Sequence, residues 1–280
     1  MPIRRYAASD LVRCATCGFV CSGEVPSIAE LGRWYAQYSR CDEISAVTLA
    51  RYDELLASFE AHRQTNQIAD LGCGNGHFLA RAAGRGWIVT GSELTDDALA
   101  ICRAKGITTR RASSGPDLGG AGRFDVVTAF EVLEHLREPM DELRAAALLL
   151  RPGGILYVTT PNFDAVNRHL LRERWRVIQY PEHLGYFTRA TLDQALTRSG
   201  LRRLSLLSTG VSVDELRRAL TGGRFSPAAC ARPASGVSDE SIRQSIQRRR
   251  SLRGGSRLVN RALTRSNLGE TLKATYQRSP

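Results

Sequence analysis

The sequence predicts an α/β fold with a doubly wound, mostly parallel seven-stranded sheet, an N-terminal arm and a basic C-terminal extension. Short apolar runs alternate with helical patterns from residue 66 to about 208, which is typical of parallel strands joined by helices. A glycine-rich turn follows the first apolar run, and glycines close several of the predicted helices. At 280 residues the chain is long enough for one sizeable core with appendages.

The elements of the sheet domain follow from these runs and from the residues that separate them. An amphipathic helix over 42–63 is expected ahead of the first strand. Helices between the strands are predicted at 77–83, from Thr95 to the residue before Gly106, at 139–150 and at 191–199. Strands are predicted at 67–71, 87–92, 107–111, 124–130, 155–160 and 201–207, with residues 268–276 returning as an edge strand.

The chain divides by composition into three predicted domains or segments. Residues 1–41 form an arm that carries a cysteine pair, residues 42–210 form the sheet domain, and residues 211–280 form a basic segment. Glycine, proline and serine are frequent after residue 220 and surround the run Arg248-Arg249-Arg250, a composition typical of a mobile insertion.

The composition predicts a soluble protein, which we expect in the cytoplasm. Hydrophobic residues make up 42% of the chain and charged residues 24%, and no apolar run of about eighteen residues predicts a membrane span. Residues 1–10 lack the apolar core of a secretory signal. The seven cysteines are an odd number with uneven spacing, which favours thiols or metal ligands over disulfides.

The formal net charge of +11 comes almost wholly from arginine, because only Lys105 and Lys273 are lysines. Such charge attracts nucleic acid, anionic lipid or a phosphorylated substrate by long-range electrostatics, and it specifies none of them. Nucleic acid is therefore the lesser alternative to a small-molecule or saccharide partner. The sequence carries no signal for an oligomeric state.

The first candidate binding site is the glycine-rich turn that follows the first predicted strand. In Asp70-Leu71-Gly72-Cys73-Gly74-Asn75-Gly76, residues without Cβ recur where the backbone can approach a ligand closely. The G-x-G-x-G spacing differs from that of dinucleotide-binding turns, and Asp70 suits a cationic amino-acid ligand better than a phosphate. Glu93, at the end of the second predicted strand, can accept hydrogen bonds from both hydroxyls of a ribose.

The second candidate site follows the fourth predicted strand. If the segment Glu131-Val132-Leu133-Glu134-His135 is helical, Glu131, Glu134 and His135 share one face, where two carboxylates and an imidazole suit a hard metal ion. His183, after the fifth strand, should overhang the same pocket and serve as a fourth ligand or as the general base. The alternative is that Glu134 and His135 only hydrogen-bond nearby loops.

These motifs resemble the class I S-adenosylmethionine-dependent methyltransferases over residues 66 to 208. The matching segments are Asp70-Leu71-Gly72-Cys73-Gly74, Glu93, Phe124-Asp125-Val126-Val127, Glu131-Val132-Leu133-Glu134-His135-Leu136 and Leu150-Arg151-Pro152-Gly153-Gly154. The resemblance implies a Rossmann-like fold and S-adenosylmethionine as the cofactor. It places the methionine end at Asp70 and the turn, the ribose at Glu93, and the adenine and sulfonium near Ser113 and Phe130. The implied cofactor residues are Asp70, Gly72, Cys73, Gly74, Gly76, Glu93, Leu94, Ser113 and Phe130.

The E-x-x-E-H segment is similar to one in the ubiquinone-pathway O-methyltransferases and the small-RNA 2′-O-methyltransferases, where a divalent ion positions a diol. The similarity implies O-methylation of a vicinal diol on a small molecule or saccharide, with Mg²⁺ or a similar ion. The implied metal ligands are Glu131, Glu134, His135 and His183, and the catalytic residues are His183, His135 and Glu131. Methylation of RNA and cofactor binding without catalysis are the alternatives.

The remaining cysteine motif is Cys14-Ala15-Thr16-Cys17-Gly18 in the arm. Its C-x-x-C-G form resembles half of a zinc element found in bacterial sugar and polysaccharide methyltransferases. No cysteine precedes Cys14. Cys21 and Cys41 could complete a site, but neither sits in a second knuckle, so the pattern does not favour zinc at Cys14 and Cys17. Cys73 and Cys102 are expected to be small buried side chains.

Overall fold

The computed structural model describes residues 1–36, 44–112, 118, 120–212 and 264–279. Within it the chain forms two compact units. One unit comprises Met1–Cys41, Pro161–Thr191 and Leu207–Leu272, and the other comprises Asp42–Thr160, Leu192–Leu206 and Lys273–Pro280. Of the residues singled out above, Ser113 and the run Arg248-Arg249-Arg250 lie outside the described residues. The bounds 1–41, 42–210 and 211–280 stay a prediction.

Helices and strands alternate along most of the described chain. The helices are α1 (Ile28–Ala36), α2 (Ala46–Phe59), α3 (His77–Ala83), α4 (Asp96–Ala104), α5 (Pro139–Leu149), α6 (Val166–Leu171) and α7 (Arg189–Arg198). The strands are β1 (Leu11–Arg13), β2 (Val20–Ser22), β3 (Gln67–Leu71), β4 (Ile88–Glu93), β5 (Thr108–Arg111), β6 (Phe124–Phe130), β7 (Leu150–Pro161), β8 (Gly185–Tyr186), β9 (Leu201–Thr209) and β10 (Thr271–Arg278).

The larger sheet has seven strands in the order β5-β4-β3-β6-β7-β10-β9. β3 pairs in parallel with β4 and with β6, and the parallel pairing continues from β4 to β5 and from β6 to β7. The chain builds the sheet outward from β3, first through β4 and β5 on one side and then through β6 and β7 on the other. This order confirms the doubly wound, mostly parallel seven-stranded sheet. In such a sheet the carboxyl ends of neighbouring strands meet at one edge, where ligands bind.

Two parts of this sheet differ from the prediction. β7 begins at Leu150, because Arg151-Pro152-Gly153-Gly154 continues the strand instead of forming a separate turn. The pairing with β6 shifts register between Phe124 and Val126, and Gly154 fits beside that bulge because a Cβ there would lie 2.8 Å from the carbonyl oxygen of Phe124.

The predicted edge position of the last strand is wrong. β10 lies between β7 and β9, so β9 is the edge strand. Alternate residues of β10 are fully buried, namely Leu272, Ala274 and Tyr276, and the Tyr276 hydroxyl donates a hydrogen bond to Asp193 on α7. A strand with this burial is typical of a sheet interior, whereas an edge strand leaves one side of its backbone unpaired.

An ion pair on the β6–β7 side of the sheet holds the start of both strands. The Asp125 side chain is fully buried, and Arg151 Nε donates to its Oδ1 at 2.6 Å. The other carboxylate oxygen accepts the backbone N–H groups of Gln64 and Thr65 at 2.9 and 2.8 Å, while Arg151 also donates to the His62 carbonyl at 2.7 Å. Asp125 and Arg151 come from two different motifs of the family resemblance, and both therefore hold the segment that precedes β3.

The other unit has its own sheet and its own core. β1 and β2 form an antiparallel hairpin that pairs Val12 with Cys21, and β2 pairs with β8 in the order β1-β2-β8. Its buried side chains include Tyr6, Val20, Phe163, Trp175 and Tyr186. The N-terminal arm is thus packed with residues from 161 to 191. Throughout the part of the chain that the structure describes, helices are too short or too polar to cross a bilayer.

Candidate functional site

The glycine-rich turn joins β3 to α3, as predicted. Gly72, Gly74 and Gly76 have φ angles of +65°, +54° and +73°, a region that favours glycine. A Cβ on Gly72 would lie 2.7 Å from Val132 Cγ2, and one on Gly76 would lie 2.5 Å from Ile107 Cδ1. The turn therefore needs glycine for its backbone conformation and for its close packing.

Asp70 lies at the carboxyl end of β3, with 3% of its surface exposed. The Thr128 hydroxyl on β6 donates to Asp70 Oδ1 at 2.7 Å. Burial raises the pKa of Asp70 to about 8, with a smaller contribution from the charge of Glu93, and the Thr128 hydrogen bond opposes this rise. A cation beside this buried group would stabilise its carboxylate form, which suits the cationic ligand inferred from the sequence.

Glu93 lies at the carboxyl end of β4 and is also buried. Its Oε2 accepts the backbone N–H of Gly74 at 3.0 Å, and its Oε1 accepts those of Leu94 and Thr95 at 2.8 and 3.2 Å. The carboxylate of Glu93 thus connects the glycine-rich turn to the start of α4. The structure brings Asp70, the turn and Glu93 together at the carboxyl edge of the sheet.

Helix α4 holds the same turn from its other side, which the sequence did not predict. The Cys102 thiol donates to the Gly74 carbonyl at 3.2 Å, and Lys105 Nζ donates to the Asn75 carbonyl at 2.9 Å. Cys73 and Cys102 are buried, as expected, and their sulfur atoms lie 3.9 Å apart. Lys105 directly follows α4, and a thiol and an ammonium three residues apart are not a recognised motif, so only the folded backbone shows this contact.

Aromatic side chains cluster beside the turn. Phe130, a predicted cofactor residue, has its ring centroid 4.9 Å from that of Phe78, 5.7 Å from Tyr157 and 5.9 Å from Tyr52. Burial raises the pKa of Tyr52 to about 12, and the charge of Asp70 adds to the rise. Tyr52 lies on α2, well before the motifs, and no feature of its local sequence separates it from an ordinary core residue.

The segment after β6 does not form the helical face that the sequence predicts. Glu131 has φ of +52° and an exposed side chain, and its N–H donates to the Thr159 carbonyl at 3.0 Å. Only Leu133–His135 is helical, as one turn of 3₁₀-helix. Glu131 and Glu134 therefore do not share a helix face, because the left-handed residue turns the chain before the helix begins.

Glu134 and His135 remain neighbours in this turn. The Glu134 side chain is 2% exposed, and the Thr160 hydroxyl donates to its Oε2 at 2.9 Å. His135 Nε2 lies 3.9 Å from Glu134 Oε1. One buried carboxylate and one imidazole are a donor pair that divalent ions accept, so these two residues fit the predicted metal site, whereas the conformation of Glu131 differs from the one assumed for it.

His183 belongs to the other unit and is held there through its backbone and its ring. Its Nδ1 lies 2.7 Å from the Val177 carbonyl, and its own carbonyl accepts the Ser22 and Tyr186 hydroxyls at 3.4 and 3.2 Å. A carbonyl only accepts hydrogen bonds, so Nδ1 carries the proton of the neutral ring and Nε2 does not. Burial lowers the pKa of His183, more than the Val177 carbonyl and Glu182 raise it. His183 has the tautomer of a general base that acts through Nε2.

Comparisons with known proteins agree with this arrangement. A family model described as "Methyltransferase domain" matches residues 45–206, more than half of the chain. The ubiquinone biosynthesis O-methyltransferase of Bordetella avium (strain 197N) is 33% identical over 140 residues, which cover 46% of this chain and 56% of that protein. The chain thus matches about half the length of this relative.

Two solved structures show the same fold at low identity. An S-adenosylmethionine-dependent methyltransferase from Mesorhizobium loti superposes with a TM-score of 0.51 at 20% identity, covering 81% of this chain and 100% of that chain. The [4+2]-cyclase SpnF superposes with a TM-score of 0.57 at 17% identity, covering 91% and 97%. Together with the matching family model, the fold shows that the chain belongs to the methyltransferase-domain family.

Proposed function

We propose that this protein transfers a methyl group from S-adenosylmethionine to a hydroxyl oxygen of a small molecule or saccharide. The observation that carries the proposal is the group formed by Asp70, the glycine-rich turn and Glu93 at the carboxyl edge of the sheet. When bound, S-adenosylmethionine supplies an electrophilic methyl group on a sulfonium. The similarity to ubiquinone biosynthesis O-methyltransferases supports an oxygen acceptor.

The residues of this group have distinct proposed roles. The Asp70 carboxylate accepts hydrogen bonds from the ammonium of the methionine part, and Glu93 accepts them from the ribose hydroxyls. Gly72 keeps the turn in its left-handed conformation against Val132, because a Cβ there would lie 2.7 Å from Val132 Cγ2. The rings of Phe130 and Tyr52 lie 5.9 Å apart near the predicted position of the sulfonium, and aromatic rings attract cations.

The acceptor proposed here is a vicinal diol, activated by a base and a divalent ion. Glu134 and His135 are the proposed ligands within the sheet unit, and Glu131 is a proposed third ligand at an exposed position. His183 is the proposed fourth ligand or base, because it follows the fifth predicted strand and its Nδ1 carries the ring proton. Its Nε2 would take the proton of the acceptor hydroxyl. The net charge of +11 keeps RNA as the alternative acceptor.

The test of the proposal is calorimetric titration of the whole chain with S-adenosylmethionine, followed by methyl transfer assays. Catechol-type diols, monosaccharides and a short single-stranded RNA serve as acceptors. We expect cofactor binding, and turnover on a diol in preference to the corresponding mono-ol. Absence of cofactor binding contradicts the whole proposal, whereas binding without turnover on any acceptor supports the non-catalytic alternative.

Metal removal is expected to lower the turnover of the diol at least about tenfold, because the ion aligns the hydroxyls and lowers the pKa of one of them. EDTA should lower the rate by at least about tenfold, and added Mg²⁺ should restore it. Glu134→Gln should lose the response to Mg²⁺, while Glu138→Gln, at an exposed position four residues later, should keep it. Equal rates with and without EDTA would remove the metal from the mechanism and leave the base.

Replacing His183 by glutamine is expected to lower kcat by about 100-fold, the lower end of what a general base contributes. Glutamine places a polar amide where the imidazole was, but the amide has no basic nitrogen. The affinity for S-adenosylmethionine should stay within about twofold, since the proposed cofactor contacts come from other residues. Stopped assays under saturating cofactor give kcat, and calorimetry gives the affinity. An unchanged kcat in a folded variant would exclude His183 as the base.

A further inference from the structure

Two cysteines lie in the turn of the β1–β2 hairpin, away from the residues used above. The Cys14 N–H donates to the Phe19 carbonyl at 2.8 Å, and the Gly18 N–H donates to the Cys14 carbonyl at 3.0 Å. These bonds close a tight turn that places Cys17 beside Cys14. Cys14 is exposed and Cys17 is half-buried, so solvent and small reagents reach both thiols.

We infer that Cys14 and Cys17 form a redox-active dithiol, which hydroperoxides convert into a disulfide. The sulfur of Cys14 accepts the backbone N–H groups of Cys17 and Thr16 and a further hydrogen bond from the Cys17 side chain. Hydrogen bonds of this kind stabilise a thiolate, which is the nucleophilic form of cysteine. The neighbouring Cys17 is then placed to resolve the oxidised sulfur.

The charge state of Cys14 agrees with this geometry. Its pKa falls from the ordinary value of 9.0 to about 7, chiefly through the backbone N–H groups of Cys17 and Thr16. The thiolate is therefore more accessible at neutral pH for Cys14 than for an ordinary cysteine. A pKa near the ambient pH is the optimum for an attacking thiol, because a lower pKa would weaken its nucleophilicity.

The other described cysteines provide an internal contrast. Burial raises the pKa of Cys21, and the nearby charges of Cys14 and Cys17 add to it. The hydrogen bond that the Cys73 thiol makes with Cys102, together with burial, raises the pKa of Cys73 far above its usual range. Cys73 and Cys102 are close enough to contact but buried, so they should be inert in the folded protein.

A closed metal site at the same position is the competing interpretation. Structural zinc sites use four ligands. A metal group needs at least three ligand atoms within 4.8 Å of one another. Among the residues that the structure describes, no histidine, cysteine or carboxylate forms such a group with Cys14 and Cys17. Two ligands leave a metal incompletely held, which favours the dithiol.

The oxidation balances in two steps. The Cys14 thiolate attacks one oxygen of the hydroperoxide, an S–O bond forms as the O–O bond breaks, and the other oxygen leaves as an alcohol or water after taking a proton. Cys14 is then a sulfenic acid. The Cys17 sulfur attacks it, an S–S bond forms, and the S–O bond breaks as water leaves with the thiol proton. Two electrons pass from the dithiol to the hydroperoxide.

The test uses the full chain, equimolar hydrogen peroxide, a maleimide quench and mass spectrometry of tryptic peptides. Cys14, Cys17 and Cys21 fall on one peptide, between the arginines at 13 and 33. We expect this peptide to lose the mass of two hydrogen atoms and to carry one maleimide, at Cys21. In the untreated protein at pH 7, Cys14 should react with maleimide about tenfold faster than Cys21.

Variants separate the two thiols. Cys17→Ser should leave Cys14 as a sulfenic acid that a dimedone probe traps, and Cys14→Ser should prevent disulfide formation. Cys102→Ser is the matched control and should leave the oxidation of the hairpin unchanged. The inference is overturned if no Cys14–Cys17 disulfide forms, or if both thiols become reactive only after a chelator is added, which would identify a metal site.

Discussion

Replacing Asp70 by asparagine is expected to stabilise the folded protein and to weaken cofactor binding strongly at the same time. The folded state holds the pKa of Asp70 at about 8, against an ordinary value of 3.8. Between pH 4 and pH 8 the unfolded chain loses this proton and the folded chain keeps it, so the free energy of unfolding falls as pH rises. The fall is about 1.4 kcal/mol per pH unit within this window, and it is complete above pH 8.

Asparagine removes this dependence because it cannot ionise. Its side-chain oxygen can still accept the hydrogen bond from Thr128. Urea unfolding at pH 5 and at pH 8.5 should therefore show a variant that is close to the wild type at the lower pH and several kcal/mol more stable at the higher pH. Asp141→Asn, on the exposed face of α5, should show no such difference. Equal pH dependence of Asp70→Asn and the wild type would contradict the buried, protonated carboxyl.

The same substitution should weaken the binding of S-adenosylmethionine by about 100- to 1000-fold, since losing one partner of a buried charge pair costs about 2–5 kcal/mol. In the wild type, binding of a cation requires the ionised carboxylate, so affinity should rise from pH 6 to pH 8.5 with release of a proton. Calorimetry in buffers of different ionisation enthalpy measures that proton. Normal binding by the variant would contradict the contact between Asp70 and the cofactor, while the prediction for stability would be unaffected.

The second large effect is expected at the ion pair of Arg151 and Asp125. Arg151→Met should lower the free energy of unfolding by about 3–5 kcal/mol, because it leaves the buried Asp125 carboxylate without its counter-charge. Burial raises the pKa of Asp125, but the hydrogen bonds from Arg151, Gln64 and Thr65 outweigh it and lower the pKa overall. The stabilisation is therefore present above the ordinary pKa of an aspartate and is lost in acid.

A matched exposed pair provides the control for Arg151. Arg144 and Asp141 are 2.9 Å apart on α5, with 54% and 72% of their side chains exposed. Arg144→Met should change the free energy of unfolding by no more than about 1 kcal/mol. Adding Asp125→Asn to Arg151→Met should recover part of the loss, since it removes the buried charge. Equal effects at the two arginines would contradict a structural role for the buried pair.

The sequence predicted the elements whose signals are local. The strands at 67–71 and 124–130 and the helix at 77–83 have the predicted bounds, because apolar runs and glycines at their ends define them. Asp70 and Glu93 were predicted from their places at strand ends, and the structure places them together. Each of these inferences used residues that are close in sequence.

The remaining features depend on distant parts of the chain. The place of β10 inside the sheet depends on its pairing with strands that precede it by many residues. The positive φ of Glu131 ends the predicted helical face, and a non-glycine residue gives no sequence sign of that conformation. Lys105 and Cys102 contact the turn only because α4 folds back over it.

The hydrogen bonds that Glu93, Cys102 and Lys105 make with the glycine-rich turn and the start of α4 leave the turn ordered before any ligand arrives. A ligand that enters this site spends little free energy on immobilising backbone, so affinity reflects its own contacts. Glu93 both holds the glycine-rich turn and is proposed to bind the ribose. Any change at this position that alters preference among nucleosides would loosen the turn as well, so we expect new cofactor specificity to arise at neighbouring positions instead.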